Sequence, residues 1–438
     1  MIRQPLHPSS LQNFLIQHIP TIMKSTLFII LLFFSLFSLF IISTDEKELL
    51  KLHISRVKAS TFTNHQEELE KFRDKNLPKN GRDKTIYRAE NFKKPQTFFE
   101  NFGKFNVSLM VNGGPDCPAK NETEKLETPI YFIKSHIVQG YINRNFIRSH
   151  WGKNKNLIFL ISGGKISDHQ LEKLNILPNV HADEYSNLEN SENSKNYNNM
   201  TTENFINLVP DFNSTDMLIL SEVPDTRENL SFKVPAGLLF AEKCQKPAIF
   251  TDDDVYMFTD KIEGLLRSDK STRDNKTENE TPKITCHKQI ASIPNRYYLQ
   301  QWTDFYSYKK YYMDKTDYHY LIFPDFCNGA GYFLNYPAIK KLSNQIKSTQ
   351  LIDKLDDVYL GMLAFSAGVK LVEDDRFDKG WLRSVRCDIY NVHKPDGVSE
   401  NFLEYVEKTC VKEKNLYFER SLEYGSFSMN KLTKSNEE

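Results

Sequence analysis

The chain lacks net charge, because its 57 basic and 57 acidic residues cancel. It has no basic stripe of the kind nucleic acid selects and no acidic tail, so no nucleic-acid partner is expected. Its six cysteines, Cys117, Cys244, Cys286, Cys327, Cys387 and Cys410, include no Cys-x-x-Cys pair. That disfavours zinc and suits disulfides in an oxidising compartment, although six cysteines allow about fifteen pairings. There is no Asp-x-Asp-x-Asp-Gly loop for calcium and no internal repeat. A long hydrophobic run occurs near the N-terminus, at Thr26 to Ile42, which with its flanking residues reaches the length of a membrane-spanning helix.

Arg3 and Lys24 precede that run and Asp45, Glu46 and Glu48 follow it, so the positive-inside rule places residues 1–25 in the cytoplasm and the rest in a lumen. No Ala-x-Ala site follows, which favours an anchor over a cleaved signal peptide. Asn-x-Ser/Thr sequons at Asn106, Asn121, Asn199, Asn213, Asn229, Asn275 and Asn279 agree with a lumenal location. The expected division is a tail at 1–25, an anchor at 26–44, a polar stem at 45–128, a folded domain at 129–411 and a polar tail at 412–438.

Within the folded part, Ile130 to Ile133, Leu157 to Ile161, Met217 to Leu220 and Ala248 to Phe250 are short apolar runs that read as buried strands. Val138 to Trp151 has helical character and sets Arg144 and Arg148 on one face. A helix leads from Phe232 towards Lys243, Pro337 to Ile346 and Asp357 to Gly368 read as helices, Val369 to Val372 as a strand and Asn401 to Val411 as a helix. Strand and helix in alternation predict an α/β fold with a mostly parallel sheet. The polar stretches 183–203 and 267–283 read as surface insertions.

One stretch asks for a chemical reason. The run Ala248-Ile249-Phe250 ends in Asp252, Asp253 and Asp254, before a second apolar run from Val255. Adjacent carboxylates repel by about 1 kcal/mol per pair in water and about 4 near a protein surface. A bound cation explains why a buried strand stops there.

Taken in order, Arg144-x-x-x-Arg148-x-x-Trp151-Gly152, Asp225-x-x-x-Asn229-Leu230-Ser231-x-Lys233, Cys244, Asp252-Asp253-Asp254, Phe323-Pro324-x-Phe326-Cys327-x-Gly329-x-Gly331-Tyr332 and Asp356-Asp357-Val358-Tyr359-x-Gly361 resemble the β-1,3-galactosyltransferase family, glycosyltransferase family 31. The resemblance spans about residues 129–395. It departs from the family in Asp356 for Glu, in Phe323 and Phe326 for Tyr, in the approach to the acids and in the two insertions, marking a divergent member.

The resemblance implies a GT-A fold that binds a UDP-sugar donor at the carboxyl ends of its strands, behind a type II anchor in the Golgi membrane. It implies Mn²⁺, or Mg²⁺, held by Asp254 and Asp252 with His393 completing the shell. It makes Asp357 the general base of an inverting transfer to a glycan acceptor on protein or lipid. It further assigns Arg144, Arg148, Asp225, Lys233, Asp253, Gly329 and Gly331 to the donor and Asp356, Trp302 and Tyr332 to the acceptor, and makes a Cys244–Cys327 bridge and a homodimer compatible with the chain. Asn229, inside a family element, is expected to be poorly glycosylated. A non-catalytic lumenal glycan-binding protein on the same scaffold is the alternative.

Overall fold

In the computed structural model, the described residues are 51–52, 54–56, 58–59, 65–77, 83–104, 115–118, 128–137, 139–163, 211, 214–220, 223–264, 281–296, 311–378, 384–394, 401–412 and 417–419. The chain forms two compact units. One comprises Met1–His65 and Asn295–Tyr312, and the other Gln66–Pro294 and Met313–Glu438. The apolar stretch 26–44 lies outside the described residues, and among the described residues no helix is long and apolar enough to cross a membrane.

The larger unit is built on a seven-stranded sheet. Its strands are β1 (Ile130–Lys134), β2 (Asn156–Ser162), β3 (Met217–Leu220), β4 (Ala248–Asp252), β6 (Lys283–Gln289), β7 (Phe326–Leu334) and β8 (Lys370–Glu373). They lie in the order β3-β2-β1-β4-β7-β6-β8, and only β7 runs against the others. Two short ladders lie outside it. One pairs β5 (Val255–Met257) with β10 (Asn391–His393), the other β9 (Ser384–Arg386) with β11 (Tyr417–Glu419). The second ladder includes part of the stretch 412–438 expected as a tail.

The short apolar runs form strands because side chains alternate between faces with period 2, and here both faces are covered. In β1, Ile130 and Phe132 enter one core while Tyr131 and Ile133 enter another. Helices α1 (His65–Asn76) and α2 (Phe98–Lys104) precede the sheet in sequence, and the first core is completed by helices α4 (Lys233–Cys244), α5 (Tyr336–Gln345) and α6 (Asp356–Ala367). The second takes Tyr141, Phe146 and Ile147 of α3 (Tyr141–Ser149), and Phe402, Leu403 and Val406 of α7 (Phe402–Val406). Asn335 caps α5 by accepting from the Ala338 N–H, with a proline in the first turn, and Gly368 ends α6 at φ 63°.

The structure differs from the sequence expectation at three places. Residues 83–104, within the stretch expected as a stem, pack on the larger unit: Ile86, Tyr87, Phe92 and Phe98 belong to its first core. Their backbone follows 348–351, with Ala89 N–H donating to Ser348 O at 3.0 Å and Leu351 N–H to Gln96 O at 2.7 Å. Single aromatics without a period carry no strand or helix signal, so this packing is invisible in sequence.

Secondly, β6 and β7 were not anticipated as a hairpin-like antiparallel pair. β6 alternates with polar residues beside a sequon-rich stretch, and β7 contains Asn328, Gly329 and Gly331, which normally punctuate rather than build a strand. Thirdly, the Cys244–Cys327 pairing is not formed. Cys327 on β7 bonds Cys286 on the adjacent β6, Cys244 at the end of α4 bonds Cys117, and Cys387 bonds Cys410. Strand adjacency, which the motifs do not reveal, decides the partner.

Candidate active site

The sheet brings its chemistry to the carboxyl ends of β1 and β4, which are adjacent and parallel, with Lys134 in register with Asp252. This pairing makes Lys134 the hub of the site. Its side chain is 2% exposed, and Nζ lies 2.7 Å from Asp356 Oδ2 and 2.9 Å from Asp252 Oδ1. It also donates to Gly329 O at 3.4 Å, so three acceptors meet the three N–H donors of an ammonium. Burial acts to lower the Lys134 pKa, but Asp252 and Asp356 outweigh it and hold it well above the usual lysine range. Lys134 was missed in the sequence. The available signal was a lysine ending an otherwise apolar strand.

Asp253 and Asp254 form the turn from β4 into β5, and the β5–β10 ladder sets His393 opposite Val255. Asp252, Asp254 and His393 therefore converge, each offering a ligand atom within 4.8 Å of the others. Asp254 Oδ1 is buried without a hydrogen-bond partner and faces His393 Nε2 at 3.5 Å. Burial, then Asp252 and Asp253, push the Asp254 carboxyl up to about 6 against the pull of His393. An orphaned buried carboxylate oxygen beside a second carboxylate and an imidazole fits a divalent cation. Of the expected ligand set, all three members are brought together.

Asp253 is held from behind. Ser135 Oγ donates to Asp253 Oδ2 at 2.6 Å, and Arg144 Nη1 donates to Ser135 Oγ at 2.9 Å. Burial raises the Asp253 pKa, with Ser135 and Arg144 opposing. The approach is so close that it requires Gly140, since a Cβ there would collide with Ser135 Oγ and Asp253 Oδ2 and stand 2.5 Å from His136 O. Gly140 carries no motif signature and was missed.

The expected donor role of Arg144 is corrected. Its side chain is fully buried, and all five guanidinium N–H donors are engaged within the protein. They go to both carboxylate oxygens of Asp211, to Ser135 Oγ and to the carbonyls of His136 and Ile137. No donor remains for a nucleotide, and its part is to position Ser135. Arg148 lies further out, paired with Asp211 and Asp216 and 4.6 Å from the centroid of the Phe159 ring. Asp211, the shared anion of both arginines, had no signal in sequence. An Arg144→Met variant, which leaves Asp211 buried with a charge partner missing, is expected to lose about 3–5 kcal/mol of stability, measurable by denaturant unfolding.

Asp225 and Lys233 likewise serve the end of β1 instead of reaching out. Asp225 accepts from the Ile137 N–H at 2.7 Å and lies 2.7 Å from His136 Nδ1 and 3.3 Å from Lys233 Nζ, which also donates to Ser135 O at 2.9 Å. Burial alone would raise the Asp225 carboxyl, but Lys233 and His136 bring it down to about 2.

Asp356 and Asp357 open α6, where the helix dipole favours anions. Asp357 accepts from the Val358 N–H of the first turn at 2.8 Å and lies near Gly329, where an added Cβ would stand 3.9 Å from Asp357 Oδ2, an ordinary contact. Burial first, then Asp356, push the Asp357 carboxyl up to about 7 against the pull of Lys134. Asp356 is 5% exposed and committed to Lys134, which corrects its expected acceptor contact. Tyr332 is corrected too: it is fully buried, stacked on Phe250 with ring centroids 5.4 Å apart, and forms no wall of the cleft. Gly331 makes room for Asn391, 3.0 Å from where a Cβ would sit, and not for a sugar. Trp302 lies outside the described residues.

Asn229 is half-buried, and its Nδ2 donates to Pro224 O at 3.1 Å and to Thr226 Oγ1 at 3.2 Å. The nitrogen that glycosylation must modify is thus engaged. Peptide mapping by mass spectrometry should find Asn229 largely unmodified; near-full occupancy would contradict the arrangement.

Part of the chain that carries this site is similar to a known family. Residues 211–375 match the Galactosyltransferase family model. Similar curated proteins include Beta-1,3-galactosyltransferase 5 of Homo sapiens, 25% identical over 177 residues (39% of this chain, 51% of the relative), and of Pan troglodytes, also 25% identical over 177 residues (39% and 53%). The chain spans about half the length of the curated relatives it matches. Residues 211–375 are thus similar to a galactosyltransferase domain, and the 25% identity to these relatives marks a distant likeness. Among solved structures, a crystal structure of the galactosyltransferase LgtC with donor and acceptor sugar analogs covers 57% of this chain and 74% of its own, at 12% identity and a TM-score of 0.22.

Proposed function

We propose that the chain is a UDP-sugar-dependent, inverting hexosyltransferase with a GT-A-type domain. It moves a hexose, galactose foremost, or an N-acetylhexosamine to a glycan hydroxyl in β-1,3 linkage, from a type II anchor at 26–44 in the Golgi membrane. The observation that carries this reading is the convergence of Asp252, Asp254 and His393 at the carboxyl edge of the sheet, with Asp357 at the start of α6 joined to the same cluster through Asp356 and Lys134.

Asp254, Asp252 and His393 would hold Mn²⁺ or Mg²⁺, which supplies Lewis-acid neutralisation of the charge developing on a departing diphosphate. The protein's own residues do the rest. Ser135, held by Arg144, fixes Asp253 at the donor end. Gly329 exposes backbone beside Asp357, letting a sugar approach closely. Asp357, with a carboxyl poised near neutrality, takes the acceptor hydroxyl's proton as that oxygen attacks opposite the leaving group.

The test is UDP release by the full chain with each of several UDP-sugars, with and without Mn²⁺, against a panel of glycan acceptors. Release that needs both cation and acceptor, from one donor, supports the transferase and identifies its donor. UDP binding without turnover on any acceptor would favour a glycan-binding protein on this scaffold.

A further inference from the structure

The cation group and the acid pair of α6 are not separate sites, because one buried ammonium spans them. Lys134 Nζ holds Asp252 Oδ1 at 2.9 Å and Asp356 Oδ2 at 2.7 Å, and only 2% of its side chain is exposed. Asp252 and Asp356 contact it and Asp357 feels its charge, while Asp253 and Asp254 act on one another and on Asp252, so the acids repel one another in a partly dry site. Asp252 is the shared member: it is paired with Lys134 and it also belongs to the group that converges for a cation. Its side chain is 31% exposed and so open to an arriving ion, whereas that of Asp356 is 7% exposed.

We infer that Lys134 and a divalent cation compete for Asp252, making Lys134 a positioning residue that couples cation binding to the Asp356–Asp357 end of α6. The inference rests on the reading of Asp252, Asp254 and His393 as a cation site. A dication drawn to Asp252 repels the ammonium beside it and withdraws part of its anionic partner. Lys134 then turns more fully to Asp356, its closer carboxylate, and firms the turn that presents Asp357. When no cation is bound, the ammonium shields Asp252 from the other acids. Coupling of this kind is reciprocal, so removing the lysine charge must change cation affinity, typically by about 5- to 150-fold.

The sign separates this role from a purely structural one. Mn²⁺ binding to the full chain, measured without any sugar donor by electron paramagnetic resonance of the free ion, should tighten in Lys134→Met. Lys134→Arg, which keeps the charge, should stay near wild type. Asp356→Asn, which leaves the whole ammonium charge to Asp252, should bind Mn²⁺ more weakly. In turnover, Lys134→Met should need less Mn²⁺ for half-maximal rate while its kcat falls. Equal or weaker Mn²⁺ binding in a folded Lys134→Met overturns the coupling. If Lys134→Met does not fold, Asp356→Asn decides: weaker binding supports the coupling, and unchanged or tighter binding overturns it. Equal binding in wild type and Lys134→Met leaves the cation site standing and removes only the coupling. Absence of Mn²⁺ binding in wild type and in every variant removes both.

Discussion

Asp357→Asn should reduce kcat by about 10²- to 10⁴-fold, the usual contribution of a general base, and at the same time stabilise the protein. The carboxyl of Asp357 is raised from 3.8 to about 7 in the fold, by burial first and then by Asp356. The native state therefore holds a proton that the unfolded chain has already released, and stability falls as pH rises from about 4 through about 7. The asparagine variant does not carry this penalty. In metal-free buffer it should melt above wild type at pH 8, by up to about 4 kcal/mol in stability, with the difference vanishing towards pH 4. For wild type, kcat/KM should rise with pH to a plateau above about 7. A variant that lost activity and also stability at pH 8 would make Asp357 a structural cap and nothing more.

The second large effect comes from a methyl group. Gly140→Ala adds a Cβ that runs into Ser135 Oγ and Asp253 Oδ2 and lies 2.5 Å from the carbonyl of His136. The backbone there is helical, φ −79° and ψ −7°, so alanine's conformational preferences are not at issue and the cost is one of space. Overpacking costs about 1–3 kcal/mol, and displacement of Asp253 from its hydrogen bond to Ser135 should lower kcat/KM on the order of 100-fold. Ser135→Ala removes that bond without adding an atom. If Gly140→Ala is far worse than Ser135→Ala, crowding of the acid turn is the cause; wild-type activity in Gly140→Ala would show that the turn yields freely and that Asp253 needs no fixed place.

What the sequence revealed and what it hid follow from the range of the forces concerned. The strands β1, β2, β3 and β4 and the helices α5 and α6 are set by local apolar runs and end signals, and they lie where the pattern puts them. Asp252, Asp254 and Asp357 stood out because acids that end a buried strand or open a helix conflict with burial unless something answers their charge. His393 could be suspected only as a late histidine, and the β5–β10 ladder is what delivers it. Lys134, Gly140 and Asp211 were silent because their importance lies in contacts across the sheet. Lys134 matters through register with Asp252 and a helix more than two hundred residues later, at a separation of 222. The same long-range geometry turned Arg144, Asp225, Lys233 and Tyr332 from expected ligand contacts into the packed support of the site.

The most direct measurement is equilibrium binding of UDP to the full chain, with Mn²⁺ or with EDTA, for wild type and Asp254→Ala. It requires neither the right acceptor nor the right sugar. Binding that depends on Mn²⁺ and weakens by about 100-fold or more in Asp254→Ala, in line with loss of a charge that holds a bridging ion, is the expected result. UDP binding that is equally strong in EDTA, or untouched by Asp254→Ala, would contradict the cation site on which the transferase reading stands.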